Sequence, residues 1–142
     1  MRTGHVVLSC VSIWMSACGT DDPNSFHAGC DHIDAVQVSA GLTPTIAWSP
    51  NCTVNKIAVF QALTPEDPGG DPLPVGQAMW EVHASQIAGN TIEPSVRYGE
   101  VPDGTTQGVA LLPLTAGQPY VAFVSTVALN GPSTGNRRFF TP

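Results

Sequence analysis

The stretch that decides the fold lies near the carboxyl end of the chain and reads Leu114-Thr115-Ala116-Gly117-Gln118-Pro119-Tyr120. Gly117 and Pro119 are turn residues, because glycine adopts backbone conformations closed to other residues and proline fixes its own φ. Directly after this turn, residues 119–129 are rich in the β-branched and aromatic side chains that favour strands. We therefore predict a turn that leads into a strand over 119–129.

The same strand signals recur along the chain from residue 34 onward. No window of ten or more residues with a helical period is free of glycine or proline, and the 14 glycines and 13 prolines are scattered as turn punctuation. Seven further short segments favour strands: Val36–Ser39, Thr45–Ser49, Val54–Ala62, Ala78–Ala84, Ser95–Val101, Gly108–Leu112 and Arg137–Thr141. Eight short strands separated by turns predict an all-β fold, a single antiparallel β-sandwich.

The turn quoted above resembles the Leu-x-Pro-Gly-x-x-Tyr turn of fibronectin type III domains. Leu114, Gly117 and Tyr120 keep the family spacing, whereas Ala116 replaces the proline. The resemblance implies a Greek-key sandwich in which Tyr120 forms a tyrosine corner, its ring buried and its hydroxyl bonded to nearby backbone. Residues 44–50 are similar to the second strand of such domains, and this likeness places Trp48 at the centre of the core.

The resemblance covers residues 34–142, with one departure. The segment 79–102 is longer than the family needs between its third and fifth strands, so strand assignments between 76 and 105 stay open. Residues 130–133 resemble the final hairpin of the family, and residues 139–142 resemble its closing strand.

The amino terminus indicates export. Arg2 precedes an apolar stretch over 6–15, which is followed by Ser16, Ala17 and Cys18. This pattern resembles the lipobox of bacterial lipoproteins and implies cleavage before Cys18 and a lipid on its sulfur. An ordinary secretory signal is the alternative, and the stretch falls short of the ~20 apolar residues that cross a bilayer. We therefore expect a signal peptide over 1–17, a flexible tether over 18–32 and the domain over 33–142.

The resemblance to lipoproteins also implies a location, the bacterial cell envelope with the lipid as membrane anchor. Gly19 stands where an Asp would indicate retention in the inner membrane, so the outer membrane is favoured and the face of the membrane stays open. Removal of residues 1–17 takes away Arg2, which changes the formal net charge from −6 to −7. So few basic residues disfavour nucleic-acid binding and electrostatic docking onto anionic lipid.

Four cysteines remain to be assigned. Cys10 lies in the predicted signal peptide and Cys18 is the expected lipid site, which leaves Cys30 and Cys52 in an oxidising compartment. If residues 34–40 and 45–49 are antiparallel strands joined near Gly41, the two cysteines lie opposite each other. We predict a disulfide between them.

Little in the sequence points to chemistry. His27, His32 and Asp34 are weak candidates for a metal site, because Cys30 is better used in the disulfide and both histidines lie in the expected tether. Gly-x-Ser-x-Gly and His-Glu-x-x-His patterns are absent, and we expect neither an enzyme nor a cofactor. His83 is expected to be a half-buried strand residue.

Three aromatic residues, Phe60, Trp80 and Tyr98, would form a binding patch if exposed together, and otherwise they close the core. The irregular stretch over 64–76, with four prolines and three carboxylates, is expected to be a solvated loop. Together these features favour a non-catalytic interaction or structural module with an unknown protein or carbohydrate partner. The alternatives are a small metal-handling protein and an accessory subunit of an envelope enzyme.

Overall fold

A computed structural model describes residues 26–70 and 73–142 and shows an all-β, antiparallel sandwich. Its strands are β1 (Ala35–Val38), β2 (Thr45–Ser49), β3 (Lys56–Ala62), β4 (Val75–Ala84), β5 (Val96–Arg97), β6 (Thr105–Val109), β7 (Tyr120–Ser125) and β8 (Gly135–Phe140). One sheet has the order β1-β2-β5 and the other the order β6-β4-β3-β7-β8. The described part of the chain contains no helix of the length and hydrophobicity that a membrane crossing requires.

The core lies between the two sheets and follows from strand alternation. Ile57 and Val59 of β3 point to the same face and are fully buried. Trp80 and Val82 extend this layer on β4, and Ile46 closes it from the other sheet. Since β3 pairs with both β4 and β7, it is a central strand, as apolar side chains on both of its faces indicate.

The turn before β7 has the local geometry that its residues favour. Gly117 adopts a left-handed φ of +78°, and Leu114 is buried beside it. The Tyr120 ring is also buried, and its hydroxyl oxygen accepts the Thr115 N–H at 2.9 Å. The predicted bond from this hydroxyl to nearby backbone is therefore confirmed.

The predicted disulfide is confirmed. Cys30 and Cys52 are joined, with their Cα atoms 5.3 Å apart. β1 and β2 are antiparallel neighbours, with Ala35 paired to Ser49, so the residues before one strand and after the other meet at one end of the sheet. Nearby, the buried Trp48 indole donates from Nε1 to the Cys52 carbonyl oxygen at 2.8 Å, which satisfies its polar atom.

Strand boundaries between 76 and 105 differ from those expected. β4 begins at Val75, whereas β5 is reduced to two residues. The next predicted strand, Gly108–Leu112, is displaced by three residues from the observed strand β6, which spans Thr105–Val109. Beyond β6 the Leu112 N–H donates to the Met79 carbonyl oxygen outside the ladder, so the apolar run continues as packing and not as a strand.

In the described part of the proline-rich loop, Asp67 forms an ion pair with Arg137 of β8. Asp67 accepts bonds from Arg137 Nε at 2.8 Å and from Arg137 Nη2 at 2.9 Å. These bonds, and then the Gly69 N–H, hold the pKa of Asp67 below its usual value. Most side chains over 63–70 are exposed, as expected of a solvated loop, and Asp71 lies outside the described residues.

Candidate functional site

The chain joins the sandwich at one end, which we call the entry end; it comprises residues 26–30, 52–55, 84–92 and 126–134. Here His27 forms a parallel bridge with Gly89, and its N–H donates to the Ala88 carbonyl oxygen at 2.9 Å. The Cys30 N–H donates to the Thr53 carbonyl oxygen at 2.9 Å. The expected tether over 18–32 is therefore too long, because residues 27–30 are bonded into the fold.

A buried asparagine links three segments at the entry end. Asn90 has no exposed surface, and its Nδ2 donates to the carbonyl oxygens of His27, Ala28 and Val127. Its Oδ1 accepts the Val127 N–H at 2.8 Å. Buried polar groups are stable only when bonded, and this side chain bonds the incoming segment to two loops of the sandwich. Sequence reasoning missed Asn90, because no local pattern marks an asparagine as buried.

Two glycines allow this close packing. Gly29 has a φ of +61°, and a Cβ there would overlap the Asn90 side chain and the Thr53 carbonyl oxygen. Gly89 has a φ of +78°, and a Cβ there would overlap the His27 carbonyl oxygen and the Phe26 ring. Both positions therefore require glycine for conformation and for space.

The outer surface of the entry end is apolar. Ile87 is 75% exposed and Leu129 is 68% exposed, each at the tip of its loop. Phe26 and Leu129 line an open cleft of about 310 Å³ in which Asp31 is the one charged residue among the described lining. No local pattern associates Phe26, Ile87 and Leu129, because 103 positions separate Phe26 from Leu129.

The opposite end of the sandwich, which we call the far end, comprises residues 39–44, 63, 98–101 and 111–119. It carries a second apolar cleft of about 340 Å³, bordered by the half-exposed Leu42 and Leu111. At its base, the Tyr98 hydroxyl donates to the Leu112 carbonyl oxygen at 2.6 Å. Burial, and then the charge of Tyr120, raise the pKa of Tyr98 to about 12.

The aromatic binding patch is not present as a surface. Trp80 is fully buried and Tyr98 is 5% exposed, with their ring centroids 5.5 Å apart in an edge-on arrangement. Phe60 is half-buried on the outer face of its sheet. Strand alternation explains the separation, since Trp80 points into the core and Phe60 away from it. Trp80 and Tyr98 therefore close the core, which was the other expectation for them.

The weak metal candidates do not assemble into a site. His32 Nε2 lies 3.2 Å from Asp34 Oδ1, and both side chains are exposed. Over the described residues, no group of three or more His, Cys, Asp or Glu side chains could hold a metal ion. His27 contributes backbone bonds at the entry end, and Cys30 is in the disulfide, which removes the thiolate that a metal would prefer.

A small charged network lies on the outer face of the larger sheet. Lys56 Nζ lies 2.8 Å from Glu81 Oε2, and His83 Nδ1 lies 3.5 Å from Glu81 Oε1. The His83 side chain is 39% exposed, so the expectation of a half-buried strand residue is confirmed. Cross-strand pairs of opposite charge of this kind stabilise a sheet modestly.

Cys18, the expected lipid site, lies outside the described residues. Eight positions along the chain separate Cys18 from Phe26. Comparison of the chain with protein-family models, curated proteins and solved structures gives no match.

Proposed function

We propose that the protein is a bacterial lipoprotein of the cell envelope whose sandwich is a non-catalytic interaction module held at the membrane by a lipid on Cys18. One observation carries the proposal: residues 27–30, which begin nine positions after Cys18, are bonded to the sandwich by the disulfide, by Asn90 and by the His27–Gly89 bridge. A lipid on Cys18 would therefore be at most eight residues from the folded domain.

The sandwich itself is proposed to be fibronectin type III-like. Support comes from the turn before β7, where Leu114 is buried, Gly117 is left-handed and the Tyr120 hydroxyl bonds to Thr115. This combination supports a tyrosine corner like that of immunoglobulin-like sandwiches. Trp48, buried on β2, occupies the expected core position.

The proposed mechanism is presentation of the far end away from the membrane. The lipid holds Cys18, the entry end stays near it, and the far end carries the apolar cleft between Leu42 and Leu111. Exposed apolar side chains that surround a concave surface are typical of binding sites for protein segments and for sugar faces. An enzyme as the bound partner would make the protein an accessory subunit.

The anchor is tested by the mass of the mature protein purified from membranes. We expect a chain that begins at Cys18 and carries diacylglyceryl mass on its sulfur, and loss of membrane association in the Cys18→Ser variant. An unmodified Cys18, or a mature start beyond it, would contradict the proposal and indicate a freely secreted module.

The interaction role is tested with a photo-crosslinking amino acid in native membranes. Placed at Leu111, beside the cleft, it is expected to capture one partner reproducibly. Leu63 is the matched control, because it is the same residue type, 68% exposed and also at the far end, but outside the cleft. Equal crosslinking at the two positions would contradict a partner site in the cleft.

A further inference from the structure

We infer that Phe26, Ile87 and Leu129 at the entry end insert into the headgroup–acyl boundary of the membrane, so that the domain rests on the bilayer through these side chains. The inference rests on the proposed lipid anchor and goes beyond it, since an anchor alone leaves the orientation of the domain open. The occupant of this apolar surface is a lipid bilayer.

The loops of this surface combine high apolar exposure with an absence of charged residues. Ile87 is the most exposed of the large apolar side chains in the described part of the chain, and Leu129 is close behind it. The two loops that carry them, 85–92 and 126–136, contain no Asp, Glu, Lys or Arg. Uncharged loops with apolar tips lose little hydration and gain apolar burial when they enter the boundary region of a bilayer.

The position of the proposed anchor in the chain places the entry end, and not the far end, nearest to the membrane. Eight peptide units separate Cys18 from Phe26, a span of at most about 28 Å when fully extended. β4 alone, with ten residues, is about 33 Å long, so the far end lies a further strand length from the bilayer. The apolar tips therefore lie on the part of the domain that reaches the membrane first.

The surface is held in shape before it meets the membrane. Asn90 bonds to His27 and to Val127, which connects the segment after Phe26 to the loop that carries Leu129. The Phe26 ring packs against Gly89, two residues from Ile87. Because these contacts fix the relative positions of the tips, little conformational entropy is lost on insertion. The lipid raises the effective concentration of the tips at the bilayer, so a weak contact suffices.

The chemistry predicts a preference for neutral lipid surfaces. Asp31 lines the cleft beside Phe26 and Leu129, and the chain from Cys18 onward carries a formal net charge of −7. Both disfavour anionic headgroups, so the attraction comes from apolar contact with a zwitterionic bilayer and depends weakly on salt.

The test uses the full lipidated protein in phosphatidylcholine vesicles that contain brominated acyl chains, which quench nearby tryptophan. The reporter is the Leu129→Trp variant, and the matched control is the Leu63→Trp variant, since both leucines are 68% exposed and they lie at opposite ends. The wild-type protein gives the background from the buried Trp48 and Trp80.

We expect the added tryptophan at 129 to lose about half of its emission, as a ring inserted 5–10 Å would, and the tryptophan at 63 to lose none. Adding Ile87→Ser to the reporter variant is expected to reduce the quenching. Equal quenching at both positions, or none at 129 in vesicle-bound protein, would overturn the inference. Crosslinking of residue 129 to a protein in native membranes would overturn it as well.

The anchor is measured separately in the same samples by mass and by flotation with the vesicles. If lipidated protein floats with the vesicles but the tryptophan at 129 is not quenched, this inference is wrong and the proposed function is unaffected. Protein that carries no lipid and does not float would contradict the proposed function. The inferred membrane insertion, which rests on the anchor, would then be contradicted as well.

Discussion

The two ends of the sandwich are both built from turns that carry exposed leucines, yet they are organised differently. At the entry end, a disulfide, the buried Asn90 and two crowded glycines pack the incoming chain against two loops. At the far end, Gly41 and Gly117 have open space around them, and Leu42 and Leu111 border an open cleft. The difference is one of packing: distant segments are bonded together at the entry end, whereas the turns at the far end have free space beside them.

The largest loss of stability is expected when alanine replaces a crowded glycine of the entry end, and an open glycine of the far end is the comparison. Gly29→Ala combines a left-handed backbone with a steric overlap against Asn90 and Thr53, and should lower the free energy of unfolding by about 4 kcal/mol. Gly117→Ala has the backbone cost without the overlap, and should lose about 1 kcal/mol. Urea unfolding of both variants measures the difference. Equal losses would show that the entry end is no more crowded than the far end.

The second largest loss of stability is expected for Asn90→Ala. The change removes the hydrogen-bond partner of the Val127 N–H and of nearby carbonyl oxygens in a buried position. The free energy of unfolding should fall by about 3 kcal/mol. Asn130→Ala is the control, because Asn130 is exposed and belongs to the same end. Urea unfolding should separate the two variants clearly. Protease cleavage of the segment near His27 should also become faster in Asn90→Ala alone.

Tyr120→Phe removes one hydrogen bond at the far end and keeps the buried ring. Loss of the bond to the Thr115 N–H should lower the free energy of unfolding by about 1 kcal/mol. Thermal unfolding of the variant checks this. A loss as large as that of Asn90→Ala would contradict the view that polar contacts at the far end are local and those at the entry end are shared by several segments.

The last expected effect concerns stability at alkaline pH and is absent at neutral pH. The folded pKa of Tyr98 is raised to about 12, above the ordinary value of 10.0, so the folded protein retains this proton where the unfolded chain loses it. The stabilisation is complete below pH 10 and is lost as the pH rises towards 12. Tyr98→Phe should weaken this decline in urea unfolding between pH 9 and 12. An unchanged decline would mean that other groups cause it.

Local patterns predicted much of the fold because short-range physics decides it. The Gly117 turn and the two-residue alternation around Ile57 specify a corner and a central strand without reference to distant residues. The pairing of Cys30 with Cys52 also follows from local geometry, since one hairpin joins them. Strand ends in the region 76–105 did not follow, because Leu112 bonds to Met79 outside any ladder.

The contacts at the entry end could not be predicted from the sequence. Its contacts connect residues 26–30, 85–92 and 126–134, and nothing in any one of these segments indicates the others. For a related reason, the sequence left two alternatives open for Phe60, Trp80 and Tyr98, an exposed patch or the core, because the face of each ring depends on sheet packing.

The sequence by itself determined an all-β sandwich and its disulfide, because turn residues, strand alternation and hairpin geometry act over short distances. The resemblance to fibronectin type III domains implied the bond from the Tyr120 hydroxyl to nearby backbone. Only the tertiary structure decided that the chain is bonded to the sandwich from residue 27 and that Asn90 is buried as a link. It also decided that Phe26, Ile87 and Leu129 share one end. These features arise where distant segments meet, and only the folded chain brings those segments together.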